Sequence, residues 1–280
     1  MKKSLVLEGG GMRGMYTAGV TDVFMENNIN FDLIVGVSAG ATFGCNVKSK
    51  QIGRTIRYNK RFCKDPRYSS FRSFIKTGDY FGAKFCYQNE LDVFDTQTFK
   101  NSPEEFYVVC TDVNTGKPIY HQLKNGDAED LIWMRASASM PLVSQTVQID
   151  DLTLLDGGIS DSIPLKFCQS LGAQKNLVVL TQPQGYKKSK NKLLSLLKRI
   201  YKKYPNLIQT MAKRHLMYNQ ELEYVQSQVQ KGNTFVLQPS KSLDISRTEH
   251  DSAKLQQMYD LGRQDALRNL DNIKEFFAEN

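Results

Sequence analysis

The chain has 280 residues, 40% of them hydrophobic and 24% charged, and a net charge of +8. This length accommodates one large α/β domain or two small ones, and the composition is that of a globular protein. The five cysteines lack Cys-x-x-Cys spacing, which argues against a disulfide framework or a zinc knuckle and fits a reducing compartment. The first apolar run stops at Glu8, too early for a signal peptide, and no run approaches the roughly 18 residues of a membrane span. We therefore expect a soluble, cytoplasmic protein.

Short apolar runs alternate with helical patterns along the chain, which predicts a mostly parallel sheet with helices on both faces. Strands are predicted at residues 4–8, 31–37, 106–111 and 119–123, around a turn within 146–155, and at 177–180 and 235–237. Helices are predicted at 12–25, from about 38, and at 127–138, 164–171 and 251–277. Residues 51–105 are basic and aromatic with little periodicity, and we expect an insertion or cap over the sheet there.

The positive charge is concentrated in two segments. Residues 48–76 contain ten Lys or Arg and one acid, and residues 162–220 contain twelve Lys or Arg and no acid. Such segments indicate an anionic partner, whether lipid head groups, a phosphorylated substrate or nucleic acid, or else two solvated helix faces. We expect no nucleic acid, because no recognised binding motif is present.

The first motif is a glycine loop, Gly9-Gly10-Gly11-Met12-Arg13-Gly14, between a predicted strand and helix. Its N–H groups, with a helix N-terminus behind them, can bind an anion. Through Gly9, Gly11 and Gly14 it also satisfies G-x-G-x-x-G, so a non-catalytic lipid- or nucleotide-binding protein is one alternative. A dinucleotide site requires an acid at the end of the second strand. The nearest acid, Asp32, lies at the start of that strand, which disfavours this alternative.

Two further motifs contain reactive side chains. Gly36-Val37-Ser38-Ala39-Gly40 is a G-x-S-x-G nucleophile elbow, in which flanking glycines allow the sharp turn that exposes the serine. Asp156-Gly157-Gly158 follows the apolar strand that ends at Leu155, and it allows a carboxylate to reach into a site without steric cover.

The order of the three motifs resembles the patatin-like phospholipases. The segment Ala136-Ser-Ala-Ser-Met-Pro141 is similar to the stretch that precedes the aspartate strand in that family. The resemblance covers residues 4–182, and residues 239–262 resemble the C-terminal extension of a bacterial subgroup. We therefore expect a catalytic domain at 1–182, with the insertion at 51–105, and a mainly helical extension at 183–280 packed on the same domain.

The resemblance implies a Rossmann-like, three-layer α/β/α fold and a serine lipid acyl hydrolase. Ser38 would be the nucleophile and Asp156 its base, with an acyl-enzyme intermediate. The N–H groups of Gly10, Gly11 and Met12 would form the oxyanion hole, supported by Arg13. An acyl lipid would be the substrate, and neither a cofactor nor a metal is implied.

A histidine-containing triad is the alternative mechanism. The order Ser-Asp-His of an α/β-hydrolase-like esterase could be completed by His215 or His250, whereas His121 precedes Asp156. Neither His215 nor His250 has the glycine or strand context that would aim it at a site, and His121 lies on a predicted strand.

Residues 192–204 form an amphipathic pattern, which predicts a helix with an apolar stripe. Its opposite face carries Lys192 and four further cations, Lys198, Arg199, Lys202 and Lys203. Such a helix can lie on an anionic membrane surface, or it can pack its stripe on the sheet and leave the cations in water. We therefore expect the protein to be cytoplasmic, with peripheral membrane contact at these four residues as a further prediction.

Overall fold

A mixed, mostly parallel sheet flanked by helices forms the centre of the molecule, as predicted. The computed structural model describes residues 1–87 and 91–278, and in these residues eight strands form one sheet. The strands are β1 (Lys3–Leu7), β2 (Leu33–Val37), β3 (Glu105–Asp112), β4 (Pro118–Leu123), β5 (Val147–Ile149), β6 (Leu152–Asp156), β7 (Lys175–Val179) and β8 (Thr234–Leu237). Their order is β5-β6-β3-β2-β1-β7-β8, and β4 pairs with β3 outside this row.

Apolar sequence explains which strands are central. β1 reads KSLVL and β2 reads LIVGV, and nearly all of their residues are buried. Parallel strands covered by helices on both faces require such continuous apolar runs. β1, β2, β3, β7 and β8 are parallel, whereas β4 and β6 run antiparallel to β3. Each predicted strand is present, with its ends within two residues of the prediction.

The helices surround this sheet. They are α1 (Met15–Glu26), α2 (Ala39–Lys48), α3 (Arg54–Phe62), α4 (Phe71–Thr77), α5 (Ala83–Tyr87), α6 (Thr96–Asn101), α7 (Ala128–Ser137), α8 (Leu165–Ser170), α9 (Leu194–Ile200), α10 (Pro205–Gln230), α11 (Ser252–Arg268) and α12 (Leu270–Ala278). The aromatic, basic segment at 51–105 thus contains the short helices α3 to α6. None of the helices in residues 1–87 and 91–278 combines the length and apolar character that a bilayer crossing requires.

Two predicted helices were wrong in extent. The single helix at 251–277 is interrupted at Asn269, whose side-chain amide donates to the carbonyl of Asp265 at 2.8 Å. Such a local bond competes with the helical pattern. The helix at 192–204 spans only 194–200 and is followed by a turn, after which Pro205 begins α10. A residue before proline avoids the helical region, and Tyr204 has φ −123° and ψ 74°. Lys202 and Lys203 therefore lie in a turn.

The C-terminal segment is joined to the rest of the fold at two places. β8 extends the sheet by pairing in parallel with β7. On the other side, α11 packs against α1 at two glycines. A Cβ on Gly19 would lie 2.1 Å from the carbonyl oxygen of Tyr259, and one on Gly262 would lie 2.1 Å from that of Tyr16. The two helix backbones are therefore in direct contact.

We expect Gly19→Ala to lower the melting temperature clearly, because the added methyl must push α11 away from α1. Overpacking of this kind costs about 1–3 kcal/mol or more. Leu267→Ala is the control, since that side chain lies on α11 but is half exposed, and surface changes of this kind stay within about 0.5 kcal/mol. Thermal unfolding followed by circular dichroism measures both. Equal melting temperatures for Gly19→Ala and wild type would show that α11 is not held in this contact.

Candidate active site

The register of four strands brings the three motifs together. Leu7 lies opposite Gly36, Val37 opposite Val109, and Cys110 opposite Asp156. The glycine loop follows β1, Ser38 follows β2, and Asp156 ends β6. Because β1, β2 and β3 are parallel, their carboxyl ends lie at the same edge of the sheet. β6 runs antiparallel to β3 but pairs only with its last three residues, so β6 also ends near this edge. All three motifs therefore lie close together there.

Ser38 has a backbone conformation that L-residues rarely adopt. Its φ is 55° and its ψ is −118°, a strained combination that persists only where the surroundings hold it. The Ser38 N–H donates to Ser137 Oγ at 3.0 Å, and the Ser137 hydroxyl donates to the carbonyl of Val109 at 2.7 Å. A Cβ on Gly40 would lie 2.2 Å from the carbonyl oxygen of Leu7, so only glycine allows α2 to begin this close to β1.

Asp156 is a buried carboxylate in contact with Ser38. Its side chain accepts a hydrogen bond from the Gly158 N–H at 2.8 Å and interacts with the Ser38 side chain. Burial raises the pKa of Asp156, while Ser38, Arg214 and the Gly158 N–H oppose this rise. A carboxylate with a raised pKa is a stronger base than an exposed one. The pair can therefore transfer a proton from a serine hydroxyl to a carboxylate.

The glycine loop lies beside this pair as a 3₁₀ turn at Gly11–Gly14. The Met12 N–H donates to the carbonyl of Arg247 at 3.1 Å, so it is engaged in this conformation. Within residues 1–87 and 91–278, no backbone acceptor is bonded to the N–H groups of Gly10 and Gly11. Arg13 is half-buried, and its Nε has no hydrogen-bond partner in the same residues.

Two cavities meet at Ser38. One is largely apolar and extends between α2, α3 and α7, where Phe43, Tyr58 and Met134 line it. The other, of about 330 Å³, contains the Asp156 side chain and several cations. Ser38, Gly11 and Met140 line both cavities. A reacting group at Ser38 can therefore extend into an apolar space on one side and a polar space on the other.

The polar cavity contains residues that sequence analysis did not single out. Glu8, at the end of β1, is buried and accepts from the hydroxyl of Tyr218 at 2.7 Å and from the N–H of Thr181 at 2.7 Å. Arg214 lies one helical turn from Tyr218 on α10, and its Nε donates to the carbonyl of Gly158. The spacing of Met211, Arg214 and Tyr218 places them on one helix face, and this pattern could have indicated that they face the same cavity.

None of the three histidines lines the cavity that contains Ser38 and Asp156. His250 Nε2 lies 2.6 Å from the Tyr80 hydroxyl, and its Nδ1 bonds to the carbonyl of Cys63. His121 stacks on Trp133 with ring centroids 3.9 Å apart. His215 lines an adjoining cavity. Both ring nitrogens of His250 are thus used away from the serine.

Comparison with known families divides the chain into two parts. The model described as "Patatin-like phospholipase" matches residues 5–168. A second model, described as a domain of unknown function (DUF6363), matches residues 204–278. The first match contains all three motifs, and the second begins just before α10.

Individual proteins are also similar to this chain. YjjU of Escherichia coli strain K12, described as uncharacterized, is 34% identical over 192 residues, which is 64% of this chain and 52% of that protein. "Lysophospholipase nte1" of Aspergillus terreus is 29% identical over 195 residues, 65% of this chain and 12% of that protein. The chain thus spans about half of YjjU and a small part of the fungal protein. Among solved structures, VipD from Legionella pneumophila aligns with a TM-score of 0.47 at 9% identity, covering 97% of this chain and 67% of that one.

We expect a fluorophosphonate probe to label wild-type protein and not Ser38→Ala. The rate should rise with pH through a pKa above that of an ordinary aspartate, because Asp156 accepts a proton only when ionised and burial raises its pKa. Gel fluorescence across a pH series measures the rate. The matched control is Ser160→Ala, because Ser160 is a second serine close to Asp156, just after the Asp156-Gly157-Gly158 turn. Equal labelling of Ser38→Ala and wild type would exclude Ser38 as the reactive serine.

Proposed function

Because the chain belongs to the patatin-like phospholipase family, we propose that it is a serine lipid acyl hydrolase that cleaves carboxylic ester bonds of phospholipids or other acyl lipids. The observation that carries the proposal is the contact between Ser38, on its strained elbow, and the buried carboxylate of Asp156. A serine hydroxyl is a weak nucleophile unless an adjacent base activates it.

The chemistry follows from this pair. Ser38 Oγ attacks the ester carbonyl as Asp156 accepts the hydroxyl proton, and the tetrahedral intermediate collapses to an acyl-enzyme as the proton passes to the leaving alcohol. Water then attacks the acyl-enzyme as Asp156 accepts its proton, and the second tetrahedral intermediate releases the acid as this proton returns to Ser38 Oγ. General-base catalysis contributes about 10²–10⁴-fold to such a rate.

The negative charge on the carbonyl oxygen requires N–H donors. Gly10 and Gly11 are proposed to supply them, with Arg13 supporting the loop. Each such donor is worth about 3–4 kcal/mol elsewhere. Met12 can contribute only when its N–H is released by the carbonyl of Arg247. The glycine loop therefore has two donors available in the present conformation and a third that depends on the C-terminal segment.

The apolar cavity is proposed to bind the acyl chain. It opens at Ser38 and is lined by side chains such as Phe43, Tyr58 and Met134. Burying apolar surface there would be worth about 25 cal/mol per Å². A long chain in this cavity would hold the ester carbonyl near Ser38. Against the nucleotide-binding alternative, the residue after β2 is Ser38 rather than a carboxylate that could bind a ribose.

We expect Asp156→Asn to lower the hydrolysis of a short chromogenic ester by about 10²–10⁴-fold, because it keeps the side-chain shape and removes the base. His215→Ala and His250→Ala are the controls and should stay near wild type. Steady-state kinetics of these three variants and of Ser38→Ala, each corrected for the reaction without enzyme, measures this. If either histidine variant is as impaired as Asp156→Asn, the mechanism is a triad and not a dyad. If Ser38→Ala keeps more than a tenth of wild-type activity, Ser38 is not the nucleophile and the mechanism is excluded.

We further propose that α9 and the turn after it contact an anionic membrane surface. Leu197 is buried, whereas Leu193, Leu196 and Ile200 are 53%, 45% and 54% exposed. Leu193 and Leu197 also line the polar cavity. The exposed side chain of Leu193 therefore forms part of the wall of this cavity. Nearby are the exposed cations Lys198, Arg199, Lys202 and Lys203.

We expect wild type to bind anionic vesicles more tightly than neutral ones and to bind less at high salt. Each cation near such a surface contributes about 1 kcal/mol, and salt screens it. Changing Lys198, Arg199, Lys202 and Lys203 together to Gln should weaken co-sedimentation with the vesicles. A control with the same change in charge replaces the exposed residues Lys100, Lys117, Lys124 and Lys231 by Gln. Equal binding by both quadruple variants would show that this surface is not the membrane contact.

A further inference from the structure

The polar cavity beside Ser38 has an excess of positive charge. Its lining includes four cations, Arg13, Lys188, Arg214 and Arg247, and two carboxylates, Glu8 and Asp156. Glu221 lies close to Arg214 but does not line this cavity, and burial and the neighbouring Asp161 raise its pKa. The cavity beside Ser38 therefore carries a net positive charge when it is empty.

None of these four cations has a carboxylate at salt-bridge distance among the described residues, although Glu8 and Asp156 stabilise some of them from farther away. Lys188 Nζ lies over the ring of Tyr218, 4.0 Å from its centroid. Glu8 is occupied by neutral donors, the hydroxyl of Tyr218 and the N–H of Thr181. The cations thus have charge available for a ligand.

Keeping the cations together has an energetic cost. Burial, followed by repulsion from Arg214, Arg247 and Arg13, lowers the pKa of Lys188 to about 7, and Glu8 opposes this shift. Burial also lowers the pKa of Arg214, and Arg247 contributes to this shift. An anion among these groups would relieve the repulsion, and it would favour the charged form of Lys188.

We propose that Lys188, Arg214 and Arg247 form a subsite for a phosphate group of the substrate, on the opposite side of Ser38 from the apolar cavity. The inference rests on the proposed function and names the substrate class, an acyl ester whose alcohol carries a phosphate. Guanidinium groups suit phosphate because they can donate two parallel hydrogen bonds. Ser38 lines both cavities, so one lipid can place its chain in one, its phosphate in the other and its ester at the serine.

This subsite gives a role to the C-terminal segment. Arg214 and Arg247 lie within residues 204–278, the part matched by the domain of unknown function. Arg214 reaches the cavity from α10, and Arg247 reaches it from the segment between β8 and α11. The carbonyl of Arg247 accepts from the Met12 N–H, which anchors that segment against the glycine loop. The second part of the chain would thus supply substrate recognition to the first.

The test compares two esters that differ only in the phosphate, hexanoyl lysophosphatidate and monohexanoylglycerol, used as monomers so that no lipid surface contributes. Wild type should have the higher kcat/KM for the phosphate ester. Lys188→Gln and Arg247→Gln should each lower the ratio of the two kcat/KM values about tenfold or more, as expected for a lost charge-assisted hydrogen bond. Unchanged ratios in folded variants would overturn the proposal.

Neighbouring lysines provide matched controls. Lys187 and Lys241 are exposed and lie near Lys188 and Arg247 in sequence, but they do not line the polar cavity. Lys187→Gln and Lys241→Gln make the same change in charge and should keep the wild-type ratio. If they lower it as much as Lys188→Gln and Arg247→Gln do, the effect is one of general charge and the subsite is excluded.

Inorganic phosphate gives a readout that needs no turnover. It should raise the melting temperature of wild type more than chloride at equal ionic strength, and Arg247→Gln should lose this excess while Lys241→Gln keeps it. Binding of phosphate without any preference between the two esters would overturn the assignment to a substrate group. If wild type cleaves neither ester, the proposed function fails. The melting temperatures with phosphate then still test whether these cations form an anion site.

Discussion

The parallel pairing of β1 with β2 is the interaction on which the site depends. It sets two glycine-containing turns side by side, with Leu7 opposite Gly36, so that the glycine loop and Ser38 lie at one edge of the sheet. The close approach of Gly40 to the Leu7 carbonyl fixes where α2 begins. A slip of one residue would turn each side chain to the other face of the sheet. The position of Ser38 is therefore determined by the packing of the whole sheet.

The strained backbone of Ser38 is held by a residue from another part of the chain. Ser137, at the end of α7, bonds both to the Ser38 N–H and to the carbonyl of Val109. These bonds connect the elbow to β3, next to the pairing of β3 with β6 that positions Asp156. Ser38 and Asp156 are thus held by one connected set of hydrogen bonds, and neither depends on a flexible loop alone.

Charge links the two parts of the chain. Burial raises the pKa of Asp156, and Arg214 on α10 favours its ionised form. Arg214 also bonds to the carbonyl of Gly158, beside that carboxylate. The C-terminal segment therefore affects the electrostatics of the site that the first part of the chain builds. The glycine contact between α1 and α11 and the pairing of β8 with β7 hold it there.

Local patterns in the sequence determined the strands, the three motifs and the family. Apolar runs and glycine turns favour the same local structure in any protein, so they can be identified without knowledge of the fold. They also pointed to Ser38 and Asp156, although their catalytic roles stay predictions. Only the tertiary structure brought Arg214, Arg247 and Lys188 beside Ser38, engaged the Met12 N–H with Arg247, and ended α9 before Lys202. Those arrangements join residues up to about 240 positions apart, and the spacing of residues along a chain does not specify such contacts. The packing of helices on the sheet decided them.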